Sequence, residues 1–243
     1  MKSLKYQPPN WSQITGIFGG RFDPPHLGHQ EAIDGLFTHP GIKQVMIIPS
    51  AAPPHKPAWA TADQRADMAF LNFITENSSF SQEIQIDLRE LTRSRLRPDQ
   101  PSYSFDTLEE LRPLFHKQLA FIMGSDEFDR LSTWYRFPEI LGLCHWIVLL
   151  RKPKEQTEKP QIELEKALST LQSWSLSGLV KPTPQADTWQ LGNQTLVLVP
   201  TQAPPISSTE IRKTLVKSGI PPENTLSEKV KAYLKLHGLY GIR

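Results

Sequence analysis

Residues 19–29 read Gly19-Gly20-Arg21-Phe22-Asp23-Pro24-Pro25-His26-Leu27-Gly28-His29, directly after a short apolar run. A glycine pair at the end of a strand lets a polyanion approach the backbone, and a helix starting just beyond it offers unpaired amides and the positive end of its dipole. His26 and His29 stand three apart, so on one helix they share a face and aim two ring N–H groups at the same anion. Pro24 and Pro25 fix the approach to that helix, and Gly28 permits close packing beneath a ligand. The segment reads as a phosphate site. Two other readings stand beside it: half of a zinc site, for which no third ligand lies close by, and an ordinary glycine turn with solvated histidines.

A second anion clamp is spelled by Ile206-Ser207-Ser208-Thr209-Glu210-Ile211-Arg212, with hydroxyls and amides at a helix start and a guanidinium one turn inside. Arginine brings a permanent charge and a planar fork suited to phosphate oxygens. A capped helix with a solvated arginine is the plainer reading. Gly124-Ser125-Asp126 follows the apolar run 119–123, where a carboxylate beyond a strand's carboxyl end is placed to accept from ribose hydroxyls. An N-cap at Ser125 or Asp126 is the alternative. Trp134 and Tyr135 fit either a stacking platform for a flat heterocycle or the core. Two anion clamps without an evident nucleophile point to phosphoryl or nucleotidyl transfer, where positioning and charge stabilisation carry the reaction.

The elements that must hold these residues follow from apolar patterning. Strand-like runs at 15–18, 45–49, 84–88, 119–123, 146–150 and 195–199 alternate with helical patterns at 25–37, 62–75, 105–115, 126–131, 162–174, 208–217 and 227–236. Such alternation predicts an α/β fold, a Rossmann-like doubly wound parallel sheet with helices on both faces and a small C-terminal helical segment at about 205–243. Thr61, Ser104 and Ser207 precede helices as candidate caps. Residues 1–13 read as a polar tail and 14–243 as one domain, with 153–160 a surface linker and 180–193 irregular.

The chain has 243 residues, 38% of them hydrophobic, enough for one full core. Its net charge of +2, from 27 basic and 25 acidic side chains, lacks the basic footprint of a nucleic-acid binder. No run approaches a membrane span. Cys144 is the sole cysteine, which excludes an internal disulfide and reads as a buried core thiol in a reducing, cytoplasmic setting.

Taken together, the segments resemble the bacterial nicotinate-nucleotide adenylyltransferases, within the nucleotidyltransferase superfamily marked by His-x-Gly-His. The resemblance runs from Gly16 onward through the glycine–histidine segment, Ile48 to Lys56, Pro101-Ser102-Tyr103-Ser104 to Leu108, Phe121 to Asp126, Thr133-Trp134-Tyr135-Arg136, Ile206 to Arg212 and the tail ending Leu239-Tyr240. It implies transfer of the adenylyl group of ATP to nicotinate mononucleotide, giving deamido-NAD and pyrophosphate. It also implies roles. His26, His29 and Arg212 stabilise phosphate charge; Gly19, Gly20, Arg21, Phe22, Gly28, Gly124, Ile206, Ser207 and Ser208 line the ATP side, with His55 and Lys56 near its phosphates; Asp126 holds a ribose. Trp134 stacks on the pyridine ring, and Tyr103, Ser104 and Tyr135 surround it, their region's amides receiving the ring carboxylate. Mg²⁺ is implied as a passenger on the ATP phosphates, with no protein cage. The partners implied are the two nucleotides, with neither nucleic acid nor membrane, and a homo-oligomer is open. Arg21 replaces the family's usual threonine, either adding a positive group or leaving only its amide at the ligand, and Ser104 is a milder change of the same kind. Rival readings are a nicotinamide-mononucleotide or dual-specificity enzyme, a nucleotide sensor without catalysis, and a class I aminoacyl-tRNA synthetase, which the near-neutral charge opposes.

Overall fold

The computed structural model describes residues 6–52, 58–74, 80, 83–116, 118–150 and 161–243. Eight strands form one sheet: β1 (Thr15–Gly20), β2 (Gln44–Pro49), β3 (Ile84–Ile86), β4 (Leu119–Gly124), β5 (His145–Leu150), β6 (Lys181–Pro182), β7 (Thr188–Leu191) and β8 (Gln194–Pro200). Their order is β3-β2-β1-β4-β5-β8-β7-β6; the first six run parallel, β7 pairs antiparallel with β8, and β6 pairs antiparallel with β7. The helices are α1 (Leu27–Thr38), α2 (Ala62–Phe73), α3 (Arg89–Leu96), α4 (Ser104–Leu111), α5 (Ser125–Phe128), α6 (Gln161–Leu176), α7 (Ser208–Ser218) and α8 (Glu228–Leu236). This is the expected Rossmann-like α/β architecture.

Strand residues alternate between two cores because successive side chains point to opposite faces. Ile17, Phe121, Met123, Trp146, Val148 and Leu198 face a core closed by Phe105 and Leu108 of α4, Phe128 of α5 and Leu171 and Trp174 of α6. Phe18, Ile47, Ile122, Ile147 and Val197 face the other, closed by Ile33 and Leu36 of α1 and Phe73 of α2. Each such side chain taken fully from water contributes roughly 1.5–3 kcal/mol. A third cluster joins Met68 of α2 to Ile211 and Leu215 of α7, Val230 and Leu234 of α8, and Tyr240. It seats the C-terminal helices on the rest of the molecule.

Several local expectations need correction. Helix α1 begins at Leu27, with His26 as its extended N-cap (φ −146°, ψ 168°), so the two histidines do not both lie on the helix. Ser104 is the first residue of α4 rather than its cap, and the helix stops at Leu111, two residues before Pro113. Neither Ser125 nor Asp126 caps α5; Gly124 holds that position. Ser207 is the N-cap of α7 but makes no side-chain capping bond, whereas Thr61 forms a full capping box with Gln64 (3.2 and 2.9 Å). Helix α3 and the β6–β7 pair were not anticipated, the latter falling within the stretch read as irregular. Within the segment read as a tail, Trp11–Gln13 makes a short 3-10 turn, and the Trp11 ring meets His145 edge-on at 5.9 Å. The linker at 153–160 lies outside the described residues.

Candidate active site

Strand order reverses between β1 and β4, and there the sheet opens. Pairing of β1 with β2 continues to Gly20 opposite Pro49, but pairing with β4 ends at Phe18 opposite Ile122. A cavity of about 640 Å³ occupies this crevice at the carboxyl ends of the strands, the usual place for a ligand in an open α/β sheet. It is lined by Gly19, Gly20, Arg21, Phe22, His26, Gly28 and His29 on one side, Gly124, Asp126, Trp134 and Tyr135 on another, and Tyr103, Ser104, Ile206, Ser207 and Ser208 around the rest. The structure thus brings together nearly all of the residues singled out in the sequence. His55 and Lys56 lie outside the described residues.

At the phosphate end, the His26 and His29 rings stack at 3.6 Å with 18° between their planes. The His26 backbone N–H donates to His29 Nδ1 at 3.2 Å, which puts the His29 ring hydrogen on Nε2 and makes that nitrogen a donor. Phe22 has a left-handed backbone (φ 51°), and its ring is buried against Phe73 (5.3 Å) and His29 (5.5 Å). Gly20 makes room for that ring, since a Cβ there would stand 2.8 Å from it. At Gly19 a Cβ would meet only Phe121, at an ordinary 3.5 Å, so the space above it belongs to the cavity. Gly28 is required by packing, a Cβ falling 2.9 Å from the Pro204 carbonyl oxygen. Ser208 Oγ donates to the Pro24 carbonyl at 2.9 Å, tying the start of α7 to the turn before His26.

At the aromatic end, Tyr103 and Tyr135 stack at 4.4 Å and 23°, and the Phe105 edge meets Tyr135 at 6.1 Å. Trp134 stands edge-on to Phe121 at 5.6 Å. The first intrahelical backbone bond at the start of α4 is that of Thr107 to Tyr103, so the amides of Ser104, Phe105 and Asp106 precede it as helix-start donors. Asp126 is exposed at the lip in the first turn of α5.

A sequence profile of the Cytidylyltransferase-like family matches residues 17–214. A Yersinia pestis protein named "Probable nicotinate-nucleotide adenylyltransferase" is 35% identical over 231 residues, covering 93% of this chain and 95% of its own. A Pseudomonas putida protein of the same name is 33% identical, over 93% and 89% of the two chains. The chain belongs to the nicotinate-nucleotide adenylyltransferase family. Its fold is similar to that of Plasmodium falciparum nicotinic acid mononucleotide adenylyltransferase, solved with APC (TM-score 0.64, 16% identity, 94% and 98% of the two chains covered) and with NaAD (TM-score 0.58, 16% identity, with the same coverage).

In this member of the nicotinate-nucleotide adenylyltransferase family, Arg212 does not line the cavity. It is 7% exposed, its guanidinium donating to the Asp23 carbonyl and, at 3.3 Å, to Thr209 Oγ1. Burial lowers its pKa and Asp23 opposes the shift; a guanidinium keeps its proton in proteins, so a charge stands behind the wall. Three buried groups escaped the sequence reading. Arg65, on α2, donates to the carbonyls of Arg21 (2.9 Å), Ser50, Ala51 (2.8 Å) and Ala60 (3.3 Å), binding the glycine turn to the segment after β2. Asp23 accepts from the amides of Trp59 and Ala60 and from the Tyr240 hydroxyl. Glu90, at the cavity wall, accepts from Thr107 Oγ1 at 2.8 Å, and burial pushes its carboxyl up. Only Asp23 carried a local signal, standing inside the glycine–histidine segment.

Proposed function

We propose that the protein joins ATP and nicotinate mononucleotide, releasing pyrophosphate and deamido-NAD. The observation that carries this reading is a single crevice, of dinucleotide size, with a histidine and glycine phosphate end and an aromatic end. A phosphate oxygen of the mononucleotide attacks the α-phosphorus of ATP in line; the new P–O bond forms as the bond to the bridging oxygen breaks, and pyrophosphate leaves with that electron pair. The protein supplies positioning and donors rather than a nucleophile. His29 Nε2–H and the His26 ring are aimed at phosphate charge, Gly19 and Gly20 give it access to the backbone, and Ser207 adds a hydroxyl. Arg212 acts from behind, as a fixed charge beside Asp23. Trp134 stacks on the pyridine ring, Asp126 holds a ribose, and the α4 amides receive the ring carboxylate, whose negative charge a helix start favours.

Among the described residues no three His, Cys, Asp or Glu side chains converge as metal ligands. Mg²⁺ carried by phosphate oxygens and water would screen the triphosphate charge. Removal of Mg²⁺ with a chelator is expected to stop turnover while leaving the melting temperature of the ligand-free protein unchanged. No helix among the described residues is long and apolar enough to cross a membrane. Small polar substrates and a buried lone thiol support a cytoplasmic setting.

The test is pyrophosphate release from Mg-ATP with nicotinate mononucleotide and, separately, its amide. Release with the acid in clear excess is expected. Equal rates would make the enzyme dual-specific, a preference for the amide would overturn the choice of substrate, and silence with both would overturn adenylyl transfer.

A further inference from the structure

Tyr240 touches no substrate in the reaction above, yet it completes the pocket around Asp23. The Asp23 side chain is fully buried, and its oxygens receive Trp59 N–H at 3.0 Å, Ala60 N–H at 3.2 Å and the Tyr240 hydroxyl at 2.6 Å. The Arg212 guanidinium lies 3.7 Å from the carboxylate oxygen that Tyr240 does not use, and also donates to the Asp23 backbone carbonyl. Trp59 borders both partners, 5.6 Å from the Arg212 guanidinium and 6.4 Å from the Tyr240 ring. Tyr240 reaches Asp23 from a left-handed backbone (φ 54°), a conformation that a bulky residue adopts only when its surroundings enforce it. Burial and the Asp23 charge push its phenol far up, so it remains a donor.

We infer that Tyr240 is a positioning residue for the transfer site: its hydroxyl orients the Asp23 carboxylate, and through it the Arg212 charge and the backbone that leads into His26. This rests on the adenylyltransferase reading. Without the hydroxyl, one carboxylate oxygen loses its closest donor, and the carboxylate can turn and draw Arg212 with it. Displacements of about 1 Å in such supports cost on the order of 10²-fold in rate.

The experiment is a kinetic double-mutant cycle of Tyr240→Phe and Arg212→Lys, assayed well below the melting transition of each variant as read by calorimetry. Tyr240→Phe is expected to lower kcat by roughly 10- to 100-fold while KM for the mononucleotide stays within about twofold, since the aromatic end is built on other elements. In the Arg212→Lys background the same change should cost far less, as coupled residues behave. A Tyr240→Phe enzyme with kcat within about twofold of wild type, or losses that simply multiply, would overturn the inference. If wild type released no pyrophosphate with either mononucleotide, the reaction would be wrong, and ATP affinity by titration calorimetry would still decide on Tyr240. Weakening of about tenfold supports it and no change overturns it.

Discussion

The backbone of His26 decides what His29 can do. By donating to Nδ1 at 3.2 Å, it leaves the His29 ring able to give a hydrogen bond through Nε2 and unable to take a proton there. The group suits charge stabilisation on a departing pyrophosphate, which strengthens as the bond breaks. His29→Ala is therefore expected to lower kcat by about 10²–10³ with KM for the mononucleotide little changed, checked by steady-state kinetics on protein whose fold is verified by circular dichroism; an unchanged kcat would remove His29 from the mechanism. These histidines were legible because their chemistry is written within a dozen residues. Asp23, Arg65 and Tyr240 were not, because each draws its meaning from partners far along the chain. The Tyr240 bond spans 217 residues and the Arg65 bond to the Arg21 carbonyl spans 44. Arg212 was legible in kind but not in place: its sequence neighbours mark a helix start, and only the packing of α7 against the Asp23 turn puts it behind the wall.

Helix α1 carries His29 and is capped by His26, and its two glycines answer to different demands. Gly28→Ala would set a methyl 2.9 Å from the Pro204 carbonyl oxygen, which is backbone and cannot swing aside, so α1 must shift from the segment that follows β8. At Gly35 nothing stands within 4 Å, and alanine relieves a helix interior of about 1 kcal/mol. The expected outcomes are opposite. Gly35→Ala raises the melting temperature by roughly 2–4 °C with turnover intact, while Gly28→Ala lowers turnover with no such gain; calorimetry and pyrophosphate release on both variants check the pair. At this scale β1, β2, β4, β5 and β8 were legible because both of their faces are buried and they read largely as apolar runs, whereas the edge strand β3 reads Ile-Gln-Ile with Gln85 exposed. Helix α3, Arg-Glu-Leu-Thr-Arg-Ser-Arg-Leu, was not, for it buries only Glu90 and Leu91 and shows no apolar stripe. The pair β6–β7 was hidden by its Pro, Thr and Gln content, which signals a loop until β8 offers it an edge.

Stability of the whole molecule should depend on pH through His145, which joins the N-terminal turn to the sheet. Its Nδ1 accepts from the Thr195 N–H of β8 at 3.0 Å, and burial lowers its pKa to about 4. The unfolded chain binds a proton there near pH 6.5, so the unfolded state gains protons first as pH falls. The stabilisation is complete above about pH 6.5 and is lost on the way down to about pH 4. Burial shifts the Glu90 and Asp129 carboxyls upward, which gives the opposite slope as pH rises through their folded values. The informative comparison is with His145→Asn, which keeps an acceptor for Thr195: its melting temperature should fall less between pH 6.5 and 4 than that of wild type, and parallel curves would refute the assignment.

The far side of the sheet has a consequence for self-association. Its last strand, β6, is two exposed residues long, Lys181 and Pro182. Proline offers no N–H for a further strand, and lysine resists burial against a neighbour. The sheet is finished there, so copies of this chain that met edge to edge would have to do so along β3.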